Sequence, residues 1–320
     1  MRLSPEEKAE TIEIVLCSPD GITRTLKALG IHKRTFYNWY RAYAEGGTDA
    51  LRPKRRTRVQ WNQIPEEVKI IVVNTALEED NTTLSPRELA VKITDEMKVF
   101  ISESSVYRIL KQRGLIRPAE HHFIAAANEF KHKTIVPNQM WQTDFTYFKI
   151  IGWGWYYLST VIDDYSRYIV HWELCKSMEW RDVKRTVAAA VEKAGLRKGQ
   201  TPKLLSDNGP GYIARELREH LERDFGIKQI HGKPMHPQTQ GKIERYHKSI
   251  KSVVKLHNYY CPSELETAIK QFVDYYNNQR YHESLNNLTP ADVYFGRGNK
   301  ILKKRAEIKA NSFKFRRRIL

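Results

Sequence analysis

The sequence predicts a multidomain protein in which an α-helical N-terminal part is followed by an α/β domain with a mixed sheet. In the first part, apolar residues recur at helical spacing to about residue 117, and a Ser-Pro-x-Glu helix start occurs twice. From Pro137 onward, three runs rich in Trp, Tyr, Ile, Val and Thr precede alternating helix-like and strand-like segments. Three strands followed by such alternation predict helices packed on the faces of a mixed sheet.

Size and charge narrow the classes of function. The chain has 320 residues, enough for two or three domains, and a net charge of +17. A globular chain this basic usually binds a polyanion, most often nucleic acid, and a membrane surface is the rival partner. No apolar run approaches the ~20 residues of a membrane span, and the N-terminus is too polar for a signal peptide. The few cysteines form no CxxC pair, so we expect reduced thiols in a cytoplasmic protein without a membrane partner.

Residues 1–50 are predicted to form a helix-turn-helix DNA-binding domain. Ser4, Pro5 and Glu7 suit the start of its first helix, and Gly30 suits the turn before a basic, aromatic last helix. The side chains of that last helix that we expect to face outward and contact DNA are Lys33, Arg34, Tyr37, Asn38 and Arg41. A helical hairpin with a solvated basic face would show the same pattern.

Residues 51–64 are predicted to be a basic linker. The stretch LRPKRRTR contains Arg55 and Arg56, which we expect to contact phosphates or a groove. Residues 65–117 predict a second helix-turn-helix-like domain, because the helix start recurs at Ser85 to Glu88 and a further amphipathic helix follows. Residues 118–136 show no clear periodicity of apolar residues and are predicted to be a further linker.

Three acidic residues of the α/β domain, residues 137–296, do not fit a solvated surface. Asp144 lies inside a strand-like run, where Asp is depleted. Asp207 directly follows the buried run KLLS, at the position where open α/β sheets place ligands, although a plain turn would also accept it. Glu244 lies in a helix among basic residues. The remaining segment, 297–320, is predicted to be a basic C-terminal tail, either flexible or acting as a small module on DNA.

The helix around Glu244 carries more lysine than local ion pairing requires. At 100° per residue, Glu244, Lys248, Lys251 and Lys255 share one narrow face opposite an apolar face. Pairing at i,i+4 explains Glu244 with Lys248, at about 0.2–0.5 kcal/mol, but not the surplus. A phosphate backbone would explain it. Three acids from separate segments beside lysines fit a site in which two divalent ions act on a phosphodiester.

The first of these acids has an alternative. Asp163 and Asp164 also end an apolar strand and are candidates for the same role. The stretch DDYSR favours a turn instead, so Asp144 is the preferred first acid.

These features resemble the DDE transposases of bacterial insertion sequences, which share the RNase H-like core of retroviral integrases. The matching blocks are WQTDFTYF, VIDDYSR, SDNGPGY, HPQTQGKIER and YNNQRYHESLNNLTPADVYFG, and they cover about residues 137–296 in the family's order. Residues 1–117 are similar to the part of family members that binds transposon ends.

The resemblance implies an RNase H-like catalytic domain in which Asp144, Asp207 and Glu244 hold two Mg²⁺ (or Mn²⁺) ions. Lys251 matches the basic residue that contacts DNA near the third acid, and Lys242 and Lys248 match less directly. The implied activity is hydrolytic nicking of terminal inverted repeats to expose 3′-OH groups, followed by transesterification into target DNA. The implied partners are double-stranded DNA and further copies of the chain, in the bacterial cytoplasm.

Three departures from the family pattern stand out. The spacing from Asp207 to Glu244 is one residue longer than is common, which a loop insertion before Gly241 would absorb. Gly211 stands where the family commonly has an acid, and Tyr281 stands where it commonly has Pro. Two other functions compete with an active transposase: a non-catalytic, sequence-specific DNA-binding protein derived from one, and an RNase H-like nuclease acting on hybrids.

Overall fold

The computed structural model describes residues 3–52, 62–116, 134–197, 199–231, 241–255 and 258–318. The chain divides into two compact units, with the division between Gln63 and Ile64. The predicted linker at 118–136 lies almost wholly outside the described residues, as do Arg55 and Arg56 of the linker at 51–64.

The first unit is a small helical domain, as the sequence predicts. Its helices are α1 (Pro5–Cys17), α2 (Gly21–Ala28) and α3 (Lys33–Ala50). Ser4 and Glu7 form the predicted capping box at the start of α1. Gly30 has φ of +67° in the turn between α2 and α3, a conformation that only glycine adopts at little cost. Ile12, Leu26 and Phe36 pack together as the core.

The second unit begins with three helices around a core of their own. These are α4 (Glu66–Leu77), α5 (Pro86–Met97) and α6 (Glu103–Gln112). The predicted capping box of Ser85 and Glu88 starts α5. Val72, Ile93 and Val106 are fully buried between the helices.

A five-stranded mixed sheet follows, in the order β3-β2-β1-β4-β5. Its strands are β1 (Met140–Ile150), β2 (Gly154–Asp163), β3 (Ile169–Cys175), β4 (Lys203–Ser206) and β5 (Gln229–His231). β1, β2 and β3 are the three predicted strand-like runs and form an antiparallel meander, whereas β4 pairs parallel with β1 and β5 pairs parallel with β4. Helices connect the parallel strands, because a parallel pair cannot be joined by a tight turn.

Helices cover both faces of the sheet, so each face has its own apolar core. The helices are α7 (Trp180–Lys193), α8 (Pro210–Ile213), α9 (Arg215–His220), α10 (Gly241–Val254), α11 (Pro262–Asn278), α12 (Pro290–Tyr294) and α13 (Gly298–Arg318). Leu158 of the sheet packs with Ile250 and Ile269 of α10 and α11. On the other face, Trp141 packs with Val187 of α7. The predicted fold class is confirmed: a helical N-terminal region, then an α/β domain with a mixed sheet.

The interpretation of residues 297–320 as a flexible tail differs from the structure. Residues 298–318 form α13, and its Arg305 makes a two-pronged ion pair with Asp95 of α5 at 2.7 and 2.6 Å. Ser312 accepts a hydrogen bond from the Phe100 amide at 2.9 Å, and Arg316 donates to the Phe100 carbonyl at 2.6 Å. The many basic residues of this segment hide the docking in the sequence, because Arg305 and Arg316 occupy half-buried or buried positions where apolar residues are usual.

Replacing Arg305 by methionine is expected to weaken the docking of α13 on α5. The change leaves the half-buried Asp95 carboxylate without its charged partner, and we expect a loss of roughly 1–3 kcal/mol. The loss should appear as a lower urea midpoint and as faster amide hydrogen exchange in α13. The neighbouring Lys304→Met removes the same charge from an exposed position and should change neither measurement. Equal exchange rates in the two variants would contradict this role for Arg305.

Candidate active site

Two of the predicted acids meet at the edge of the sheet where β4 ends. β1 and β4 run parallel with Gln142 opposite Leu205, and the same register carried two residues further places Asp144 opposite Asp207. Asp207 directly follows Ser206, the last residue of β4. Neighbouring strands therefore bring these two carboxylates together, although 62 residues of sequence lie between them. Ligands of open α/β sheets bind at such strand ends.

Helix α10 presents the third acid beside this pair. Ile243, Tyr246 and Ile250 are fully buried against the sheet, which turns the face bearing Glu244 outward. The start of the helix is held by the side chain of Gln142 on β1, whose Oε1 accepts a hydrogen bond from the Ile243 amide at 3.2 Å. The apolar face predicted for this helix is confirmed.

The three carboxylates influence one another electrostatically. Desolvation raises the pKa of the Asp207 carboxyl, a hydrogen bond from the Gly209 amide opposes that rise, and the nearby Asp144 charge adds to it. Desolvation also raises the pKa of Glu244, and Asp144 again adds to the rise. Asp144 is therefore the member whose charge reaches both others. A carboxylate charge that raises the pKa of neighbouring carboxyl groups favours a bound proton or a bound cation at those groups.

The donor set suits a hard divalent ion. Asp144, Asp207 and Glu244 supply only carboxylate oxygens, which Mg²⁺ and Mn²⁺ prefer. Within the described ranges, no three His, Cys, Asp or Glu side chains lie close enough together to form a metal cage. The residues present fit the open kind of site, in which one or two carboxylates share the ion with substrate phosphates.

His247 is a neighbour of this site that sequence reasoning missed. Its side chain is 9% exposed, and Nδ1 lies 3.4 Å from Oδ2 of Asp144. Its Nε2 is buried and has no hydrogen-bond partner within the described part of the chain. The helical spacing of +3 from Glu244 was the signal that could have identified it, since residues three apart share a helix face.

Asp163 and Asp164 have structural roles. Asp163 is fully buried and accepts hydrogen bonds from the Asn138 amide at 2.7 Å and from the Ser166 amide and hydroxyl at 2.8 and 2.6 Å. These bonds close the turn that the sequence favoured for DDYSR. Asp164 accepts from Gln142 at 2.7 Å, the same side chain that holds the start of α10.

Lys242 completes that buried network. Its ammonium group donates to the Asp164 carboxylate at 2.8 Å and to the Asp164 carbonyl at 2.9 Å. The sequence interpretation of Lys242 is a DNA contact, whereas in the structure its ammonium group is paired with Asp164. This ion pair helps to hold the start of α10, the helix that carries Glu244. Periodicity could not find this pair, because the two residues are 78 positions apart.

The other predicted basic residues remain accessible to differing degrees. Lys251 lies with Nζ 4.4 Å from the centre of the Tyr147 ring, and its burial, then the charge of Lys255, lowers its pKa. Lys248 and Lys255 are exposed. On α3, every one of the predicted DNA-contacting side chains is exposed, namely Lys33, Arg34, Tyr37, Asn38 and Arg41.

Two of the three departures from the family pattern have local explanations. Gly211 lies in α8, four residues after Asp207, and a Cβ there would overlap the carbonyl oxygen of Met178. The acid that is common at this position in the family therefore cannot be accommodated by this backbone. Tyr281 donates a hydrogen bond from its hydroxyl to Asp95 at 3.2 Å, so it supports the packing of the helical region. The extra loop residue before Gly241 falls outside the described residues.

Models of two kinds of protein domain match this chain. Two models of the integrase core domain match residues 136–237 and 225–290, and two homeodomain-like models match residues 7–52 and 35–110. No helix of the described residues is long and apolar enough to cross a membrane.

Individual relatives include proteins of bacterial insertion sequences. InsK of insertion sequence element IS150 from Escherichia coli (strain K12) is 30% identical over 161 residues, which are 50% of this chain and 56% of that protein. The transposase of IS629 from Shigella sonnei is 30% identical over 160 residues, which are 49% of this chain and 52% of that protein. The chain thus spans about half the length of these relatives.

Among solved structures, the catalytic core domain of BIV integrase matches 51% of this chain and 97% of its own, with a TM-score of 0.40 and 23% identity. The matching family models give the chain homeodomain-like helix-turn-helix domains followed in sequence by an integrase core domain, and sequence similarity relates it to InsK of IS150, to the transposase of IS629 and to the Gag-Pro-Pol polyprotein of Simian retrovirus SRV-2.

Proposed function

We propose that the chain is a DNA transposase that binds transposon ends, nicks them to expose 3′-OH groups, and joins those groups to target DNA. The observation that carries the proposal is the strand register that places Asp144 opposite Asp207, with Glu244 presented beside them by α10. Both steps are displacements at phosphorus. In the first, water attacks and the bond to the 3′ oxygen breaks. In the second, the freed 3′-OH attacks a target phosphodiester and displaces another 3′ oxygen.

The roles of the side chains follow from their positions. Asp144, Asp207 and Glu244 would hold two Mg²⁺ (or Mn²⁺) ions, which when bound activate the attacking oxygen and stabilise the leaving one. Lys251, Lys248 and the neighbouring Lys255 would hold the phosphodiester on the same helix face. His247 would orient Asp144, and the network of Asp164 and Lys242 would keep α10 in place.

DNA recognition is assigned to the helical domains. Helix α3 has an exposed basic and aromatic face and follows a tight turn, which is the geometry of a helix that enters a major groove. Two ends and a target must meet in one reaction, so the active form is proposed to be a homo-oligomer on DNA.

The test uses the DNA that flanks the coding region, where terminal inverted repeats should lie. Purified protein is incubated with labelled duplexes carrying those sequences, in Mg²⁺ or in EDTA, and the products are resolved on a denaturing gel. We expect Mg²⁺-dependent nicks that leave 3′-OH ends, and strand transfer when target DNA is added. Specific binding without nicks in either Mg²⁺ or Mn²⁺ would instead favour a non-catalytic DNA-binding protein derived from a transposase.

His247→Ala is expected to raise the Mg²⁺ concentration needed for nicking by about 10-fold or more. The reason is that groups which orient a metal ligand typically change metal affinity or activity by 10–100-fold. The measurement is the nicking rate across a Mg²⁺ titration. His247→Asn keeps a donor on this face of α10 and should recover part of the affinity, whereas a purely structural role would lower the thermal midpoint without moving the Mg²⁺ requirement.

A further inference from the structure

Helix α13 has two faces with different chemistry. The face toward α5 contains Arg305, Ile308, Ser312 and Arg316, which are buried or half-buried and spaced three or four residues apart. The opposite face is exposed and strongly basic. Its charged residues are Lys300, Lys303, Lys304, Glu307, Lys314 and Arg318. We call the surface formed by these residues the outer face of α13.

The stability of the helix does not explain this charge. The first turn of a helix favours acidic side chains, because the amide groups there carry partial positive charge. In α13 no acid occupies the first turn, and Lys300 lies in it. Over the described ranges, Lys300, Lys303, Lys304 and Lys314 form no ion pair with any acid, Glu307 included. The lysines therefore repel one another and oppose the helix dipole at its N-terminal end.

The dimensions of the outer face suit a polyanion with regularly spaced charge. From Lys300 to Arg318 the helix rises about 27 Å, at 1.5 Å per residue. Duplex DNA presents one phosphate charge per ~1.7 Å of axis, so both ends of the face can reach phosphates of one duplex. The docking of α13 on α5 holds this face rigid, which reduces the entropy lost when the lysines bind.

We propose that the outer face of α13 binds the phosphate backbone of duplex DNA, independently of base sequence. This surface shares no residue with the acidic site or with α3. The proposal rests on the proposed function only in taking DNA as the polyanion. An anionic lipid surface is the weaker partner, because binding in a membrane interface needs apolar side chains beside the basic ones. From residue 300 to residue 318, Phe315 is the one large apolar side chain among the exposed positions of the helix, and the others are Lys, Arg, Ala, Asn and Glu.

The test compares two variants that each lose three lysines. One carries Lys303→Gln, Lys304→Gln and Lys314→Gln on the outer face of α13. The matched control carries Lys203→Gln, Lys228→Gln and Lys270→Gln, which are exposed elsewhere in the same unit. Binding of each full-length protein to a duplex of random sequence is measured by fluorescence anisotropy across a range of salt concentrations, with anionic and neutral vesicles as further probes.

Each phosphate contact contributes about 0.9 to the slope of log affinity against log salt. We therefore expect the slope for the α13 variant to fall by about 2–3 while the control stays near wild type, with unchanged thermal midpoints. Equal slopes in the two variants would overturn the proposal, as would an α13 variant that loses only vesicle binding. Nicking of end DNA is measured separately. If the wild type does not nick, but the α13 variant and its control still differ in slope, the proposed function is overturned and this inference stands.

Discussion

Asp144→Asn is expected to lower the rate of Mg²⁺-dependent nicking by about 10³-fold or more, while binding to end DNA is retained. Asp144 is the carboxylate whose charge raises the pKa of both Asp207 and Glu244, so its removal affects the whole site. Loss of one ligand of a shared cation costs several kcal/mol of transition-state stabilisation, and every 1.4 kcal/mol is about tenfold in rate. Single-turnover nicking and anisotropy binding on the same duplex measure the two effects.

The matched control for this change is Asp224→Asn. Asp224 is exposed and is paired with His220 and Arg223 on a helical turn. Its loss should leave the nicking rate within a few-fold of wild type. If Asp144→Asn nicks at the rate of this control, then Asp144 does not belong to the site, and the first acid must be sought elsewhere.

Gly211→Ala is expected to destabilise the fold by about 1–3 kcal/mol and to reduce nicking at the same time. A single methyl group at this position would overlap the Met178 carbonyl, and forcing extra volume into a packed position typically costs that much. The backbone of α8 must shift to relieve the overlap, and Asp207 lies only four residues before Gly211, so we expect the acid to be displaced as well. Urea unfolding measures the first effect and the nicking assay measures the second.

Gly241→Ala is the control for adding a methyl group, since no described residue has an atom within 4 Å of a Cβ at that position. It should leave the free energy of unfolding within about 0.5 kcal/mol of wild type, as surface substitutions usually do. If Gly211→Ala were equally harmless, the departure from the family pattern at this position would need an explanation other than the Met178 carbonyl.

Much of the fold was predictable because its signals are local. Ser4 with Glu7 and Ser85 with Glu88 start helices through bonds that span three residues, and such bonds are visible in the sequence itself. The meander of β1, β2 and β3 was predictable for a similar reason, because short breaks favour pairing of consecutive strands. The tail prediction failed at α13 because its docking depends on Arg305 and Arg316, whose partners are about 200 residues away.

The candidate site likewise has features that local sequence predicts and features that depend on contacts between distant segments. The sequence by itself singled out Asp144, Asp207 and Glu244 as candidates, because each acid stands in local surroundings that a solvated surface does not produce. It also separated the apolar and charged faces of α10, since helical periodicity is a property of neighbouring residues. Only the tertiary structure decided that Lys242 forms an ion pair with Asp164 and that His247 contacts Asp144. It also decided that Gly211 must lack a side chain. Those three facts depend on which distant segments meet, and contacts of that kind are set by the packing of the whole sheet and its helices.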